Sequence, residues 1–238
     1  MKIRNIFMIT AFLMLFSCAE KRTNPLIQNL DKSWIVSTDT LNIKMEVDIP
    51  SVIQADMYEN GLIPHPYKSN VEPQLLWIPQ HEWEYTLNFE AEDYILREDV
   101  IELVFEGLDT YADVWMNGEK ILHADNMFRT YSCNVKDLIK ESNNIKIKFY
   151  PFDKERDSLI ETYPLRFPEK YAVMRKAAYQ NGWDWAPRYM NMGIWQPVYL
   201  KAWTRSTICS ASVITKEIHD DKADLRICTC LSVCHGLR

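Results

Sequence analysis

The sequence predicts an all-β fold, a β-sandwich or jelly roll, from three observations. Apolar and polar residues alternate with period two along several short stretches. An Asn-Gly pair sits between two such stretches, and helix-start signals are few. The composition agrees. The 238 residues are 47 % hydrophobic and 25 % charged, ordinary for a globular protein, and eight Trp against six Gly suit a stiff aromatic core.

Taken in order, the chain opens with Lys2 and Arg4 ahead of an apolar run from Ile6 to Phe16, too short to cross a bilayer as a mature helix. The run ends in Leu15-Phe16-Ser17-Cys18. This resembles a bacterial lipoprotein signal, with Cys18 lipidated and becoming the first mature residue; an ordinary secretory signal cleaved near Ala19 is the alternative. Residues 1–17 are therefore read as a signal peptide and 18–30 as a polar tether. The expected location is the bacterial cell envelope, in the periplasm or on the outer-membrane surface, held by acyl chains and otherwise soluble.

Residues 31–205 are read as the sandwich. Trp83, Tyr85, Leu87 and Phe89 alternate with Glu84, Thr86 and Asn88. The same period recurs at Ile101, Leu103 and Phe105, at Ile145, Ile147 and Phe149, and at Val198, Leu200 and Ala202. Ala112 to Met116 leads into Asn117-Gly118 and on to His123, a hairpin whose type I′ turn needs positive φ at both central residues. Residues 50–80 carry five prolines and are expected to be a long irregular excursion. Helix is expected only over Pro168 to Ala178, with Pro at the first position, and for one turn from Val135 to Lys140. Asp153-Lys154-Glu155-Arg156-Asp157 is expected to be a solvated surface turn.

Residues 206–238 are read as the truncated start of a second β domain, because Val213-Ile214-Thr215 opens a new strand pattern. Composition shifts abruptly from Leu225 to Arg238. Cys228, Cys230, Cys234 and His235 offer zinc-type donors, but at a chain end they have no framework to fix tetrahedral geometry, and no metal site is expected. A shifted reading frame accounts for this stretch better. With a single mid-chain cysteine, Cys133, the sandwich is not a disulfide scaffold.

A net charge of −6 without a Lys/Arg stripe argues against nucleic acid as a partner. There is no Gly-x-Ser-x-Gly, no glycine-rich phosphate loop and no metal-like spacing among the five histidines, so no cofactor is expected. Glycoside hydrolysis requires two carboxylates across the scissile bond. Here the acids are scattered, from Asp109, Asp113 and Asp125 to Asp184, and none is assigned a catalytic role.

Gly182-Trp183-Asp184-Trp185-Ala186-Pro187-Arg188 is the most informative stretch. Gly182 permits unusual backbone angles and Pro187 pushes Ala186 toward extended geometry, which predicts an irregular loop. Two indoles beside a carboxylate offer apolar faces for the C–H side of a sugar ring and an acceptor for its hydroxyls. The alternative is that Trp183 and Trp185 fill a core and Asp184 caps a turn. In a regular strand Asp184 would point away from both indoles, so a shared site requires the chain to bend there.

Several segments together carry a family resemblance. Phe105 to Gly118 is similar to the signature strand-turn of the N-terminal domain of glycoside hydrolase family two β-mannosidases. Asp48-Ile49-Pro50 through Pro64-His65-Pro66-Tyr67 resembles their early loop. Asn126-Met127-Phe128-Arg129, Arg175-Lys176-Ala177, the Gly182–Arg188 stretch and Gly193-Ile194-Trp195 resemble their segments near the sugar, with Ala186 where the family usually has Gly. The resemblance runs from about Trp34 to Trp203. It implies a galactose-binding-like jelly roll followed by an immunoglobulin-like domain and a (β/α)8 barrel. It also implies exo-acting, retaining hydrolysis of terminal β-mannose by two Glu residues on that barrel. It further implies that Trp183 and Asp184 contact the terminal sugar, Asp184 accepting from a hydroxyl. On this reading the mannose-containing glycan and the barrel are the partners, and the 238 residues alone are expected to be inactive. A free-standing surface carbohydrate-binding lipoprotein is the competing expectation.

Overall fold

The computed structural model describes residues 24–68, 70–163 and 169–233. The expected signal peptide, lipidated Cys18 and the tether up to residue 23 lie outside the described residues, as do Pro168, Cys234 and His235. Twelve strands form among the described residues, and every pairing is antiparallel.

One sheet has six strands: β2 (Trp34–Thr38), β3 (Ile43–Val47), β4 (Trp83–Glu90), β6 (Ala112–Met116), β7 (Glu119–Ala124) and β9 (Ser142–Phe149), in the order β3-β2-β4-β9-β6-β7. The other has four: β1 (Leu26–Asn29), β5 (Val100–Phe105), β8 (Tyr131–Asn134) and β10 (Val198–Trp203), in the order β1-β10-β5-β8. Period-two alternation turns one side of each sheet inward. Trp34, Trp83, Tyr85, Phe105 and Phe149 are fully buried within one continuous core drawn from both sheets. The large aromatics satisfy their polar ends there. The Trp34 indole donates to Leu30 O at 2.7 Å and the Trp83 indole to Ile78 O at 2.9 Å. This is the expected galactose-binding-like β-sandwich.

The hairpin between β6 and β7 turns at Asn117 (φ 51°) and Gly118 (φ 87°), and both residues tolerate that region. Asn117 also braces the neighbouring loop, donating to Leu138 O at 2.8 Å and accepting from the Asn144 amide at 2.9 Å. Val135 to Ile139 makes the single hydrogen-bonded turn expected there.

Four local expectations need correction. Leu26–Asn29, placed in the tether, is an edge strand paired with β10, because Gln28 bonds Glu90 O and the Glu92 amide and so is buried without cost. The charged run at 153–157 is not a turn but part of the helix Phe152–Thr162. Phe152 anchors it in the core, Asp153 and Glu155 sit in the first turn where acids suit the helix dipole, and Arg156 pairs with both Asp153 and Asp157. The 50–80 excursion contains a further helix, Ile53–Glu59. Downstream, the segment expected to be helical from Pro168 to Ala178 shows only short 3-10 turns, at Lys170–Val173 and Ala178–Asn181.

After the sandwich, β11 (Ser206–Ile218) and β12 (Ala223–Val233) form a separate two-stranded ribbon. Along β12 every second residue falls on one face. Leu225, Ile227, Leu231 and Val233 share that face with Ile208 and Val213 of β11, and each is more than half exposed. Cys228 and Cys230 lie on the opposite face as exposed free thiols.

Two long excursions leave the strands and meet at one end of the sandwich. The first, 48–82, joins β3 to β4; the second, 150–197, carries the chain from β9 in one sheet to β10 in the other. They are stitched together by Ser51 N to Ile194 O and Ile53 N to Met192 O, both 2.9 Å, and by the Gln54 amide to Met190 O, also 2.9 Å.

Candidate functional site

The second excursion is clamped by charge. Just past β5, Asp109 exchanges two backbone hydrogen bonds of 3.0 Å with Gly193. The Lys176 side chain is fully buried and donates its ammonium to the Asp109 carboxylate and, at 2.6 Å, to Asn191 O. Gln180 donates to the other Asp109 oxygen at 3.1 Å and accepts from the Asn191 amide at 2.9 Å. Thr110 donates its hydroxyl to the same carboxylate. Burial pulls the Lys176 amine down to about 8, opposed by the attraction of Asp109. These bonds hold both ends of the segment from Lys176 to Gly193.

Between those ends the chain is thrown outward. Gly182 takes φ 90°, and Trp183 and Ala186 then exchange backbone hydrogen bonds of 3.1 and 3.2 Å, closing a turn with Asp184 and Trp185 at its tip. The chain therefore bends where a site shared by Trp183 and Asp184 requires it. The indoles meet edge to face, centroids 6.0 Å apart. Trp183 is 56 % and Trp185 83 % exposed, and Asp184 is exposed as well. They do not fill a core. An exposed pair of indoles is uncommon, since such side chains usually contribute through burial.

The turn forms one wall of an open groove of about 490 Å³. The opposite wall comes from the first excursion, through Pro66, Tyr67, Asn70 and Glu72. Tyr189 ties the walls together by donating its hydroxyl to Pro66 O. Burial, then the Glu72 carboxylate, push the Tyr189 phenol above its ordinary range. A much smaller cavity of about 80 Å³ lies beyond Tyr189, between Gln54, Gln80, Phe152 and Arg188.

The other acids noted in the sequence are held elsewhere. Asp113 accepts from Lys120 at 2.8 Å, His123 at 2.7 Å and Tyr150 at 3.0 Å on the six-stranded sheet, a strand-bracing role. Asp125 accepts from the Tyr131 hydroxyl at 3.1 Å. At the ribbon tip, exposed Glu217 and Asp224 and half-buried His219 bring metal-capable atoms within 4.8 Å of one another, with His219 bonded to Asp224 at 3.3 Å.

Sequence reasoning reached Trp183 and Asp184 and missed the clamp and the Tyr67 wall. Lys176 looks like a surface residue by type. Its only local signal is the apolar company of Met174 and Ala177, both buried.

Comparison with known proteins adds the following. The profile of the glycosyl hydrolase 2 galactose-binding domain-like family matches residues 28–196. β-Mannosidase A of Emericella nidulans is 31 % identical over 182 residues, which is 71 % of this chain and 19 % of that protein. β-Mannosidase of Mus musculus is 28 % identical over 187 residues, 74 % of this chain and 21 % of that one. Among solved structures, the β-D-mannosidase of Dictyoglomus thermophilum superposes with a TM-score of 0.82 at 30 % identity, covering 87 % of this chain and 26 % of that chain. This chain thus spans about a fifth of the length of the curated relatives it matches.

Proposed function

Since this chain belongs to the glycosyl hydrolase 2 galactose-binding domain-like family, we propose that it is the N-terminal domain of an exo-acting, retaining β-mannosidase. In this reading Trp183 and Asp184 are its contribution to the pocket for the terminal mannose. The observation that carries the proposal is the Trp183–Ala186 turn, which offers indole surface and a carboxylate to solvent side by side. The indole packs on the C–H face of the sugar, and the Asp184 carboxylate accepts from its hydroxyls, a charge-assisted and therefore stronger bond. These contacts bind and orient the sugar. The acid/base and nucleophile are assigned to a barrel outside these 238 residues, so the chain by itself lends geometry rather than bond cleavage. Lipidation at Cys18 would hold the domain at the cell envelope.

Saturation-transfer NMR, which registers millimolar binding, tests the pocket. Methyl β-mannoside should receive transfer from the 238-residue chain, and Trp183→Ala or Asp184→Asn should abolish it; undiminished transfer in both variants would sink the assignment. In parallel, the chain should release no nitrophenol from nitrophenyl β-mannoside. Release abolished by Asp184→Asn would place catalysis in this chain after all. The exposure of Trp185 also favours a second reading, a free-standing glycan-capturing lipoprotein. That reading requires micromolar affinity without any further domain, which calorimetry on the same chain would detect.

A further inference from the structure

We propose that the tip of the β11–β12 ribbon is a binding site for a divalent transition-metal ion of the zinc class, held by the Glu217 and Asp224 carboxylates and the His219 imidazole. The proposal is independent of the sugar reading above.

The three side chains share one face of the ribbon. Glu217 pairs directly with Asp224 across the strands, and His219 follows two positions after Glu217, where the strand period returns a side chain to the same side. The turn is closed by the His219 amide donating to Lys222 O at 2.8 Å. The donor atoms of the three groups all lie within 4.8 Å of one another. Two ligands of a tetrahedral zinc, each about 2.1 Å from the ion, sit roughly 3.4 Å apart. His219 Nε2 and Asp224 Oδ2, at 3.3 Å, are long for a hydrogen bond and already at that spacing. Glu217 is exposed and rotatable, and has at most about 1.4 Å to close.

The strand register points the same way. Thr215 pairs with Leu225, so an unbroken ladder would set Lys216 opposite Asp224, an attractive pair. A bulge between Thr215 and Glu217 instead brings Glu217 opposite Asp224, and two carboxylates so placed repel. Among the described residues neither acid has a Lys or Arg within ion-pair distance, and Asp224 has only His219. A cation between them removes the repulsion. The donor set selects which cation. Calcium takes about six to eight oxygen ligands and magnesium keeps several of its waters. One imidazole with two carboxylates suits zinc, whose three-ligand sites leave the fourth position to water. Because two strands alone are marginal in water, an ion joining β11 to β12 staples the ribbon at its tip.

The test is calorimetric titration of Zn2+, with Ca2+ in excess, into the 238-residue chain. Its thiols are first alkylated with iodoacetamide, because exposed Cys209, Cys228 and Cys230 would also take zinc. One Zn2+ per chain should bind with micromolar affinity. Glu217→Gln and His219→Ala should each weaken binding by at least about tenfold, the loss seen when even an outer partner of a metal ligand is removed. His123→Ala, on the sandwich, should leave binding unchanged. In NMR hydrogen exchange, zinc should slow the amides of Ile218 and Ala223, which pair beside the site. No zinc binding, undiminished affinity in either ribbon variant, an equal loss in His123→Ala, or exchange unaltered by zinc would each overturn the proposal.

Discussion

At the base of the second excursion the Lys176 ammonium is sealed against Asp109 and Asn191; at its tip Trp185 stands 83 % exposed. Each arrangement is costly alone. A buried charge is tolerated only when it is paired and hydrogen-bonded, and an exposed indole forgoes the burial that normally stabilises it. Together they separate two tasks within one loop. The base supplies rigidity, and the tip holds two indoles and a carboxylate in solvent while contributing little to stability. Substitutions at the two places should therefore fall into different classes.

The sharpest break comes from the base. Lys176→Ala leaves the Asp109 carboxylate buried without its ion partner, and about 3–5 kcal/mol of stability should be lost in urea unfolding. A loss below ~1 kcal/mol would show that the clamp is ornamental. Gly193→Ala comes next. A Cβ there would lie 2.8 Å from the Tyr85 hydroxyl oxygen and 2.9 Å from Ser51 O, at φ 144°, so a loss of about 2 kcal/mol is expected by the same measurement.

A pH series probes the buried side by another route. Asp56, on the Ile53–Glu59 helix, is buried and accepts from Ser51 and Tyr85; burial nevertheless raises its carboxyl from 3.8 to about 6. The folded state thus holds this proton more tightly than the unfolded chain does. The resulting stabilisation is complete below about pH 4 and is lost as pH rises through about 6, an effect on the order of 3 kcal/mol. Asp56→Asn should flatten that part of the stability profile; an unchanged profile would assign the dependence to other groups. The smallest effect belongs to the tip. Trp185→Ala should shift unfolding by no more than about 0.5 kcal/mol, since little packing is lost. A larger shift would mean that the tip is also structural.

The strands were legible because their two faces have different neighbours. Trp83, Tyr85 and Leu87 meet the core while Glu84 and Thr86 meet water, and no other structure satisfies that alternation as well. The helix Phe152–Thr162 was not, because its attachment rests on Phe152 and Leu159 amid charges that read equally well as a solvated turn. The edge strand β1 escaped notice because a buried Gln28 looks polar until its two backbone partners are known. At the site, Gly182 and Pro187 bracket the exposed turn and mark it locally. Tyr67 and Glu72 join it through Tyr189, whose ring meets Tyr67 and whose hydroxyl bonds Pro66 O 123 positions away, and no local pattern encodes either contact.

The apolar side of the β11–β12 ribbon has a practical consequence for anyone handling this protein. Two strands alone are marginal in water, and six aliphatic side chains lined up on one surface invite other molecules to stick there. Ending the polypeptide at residue 205 should lower any self-association seen in sedimentation of the 238-residue chain, with the groove between the two excursions untouched.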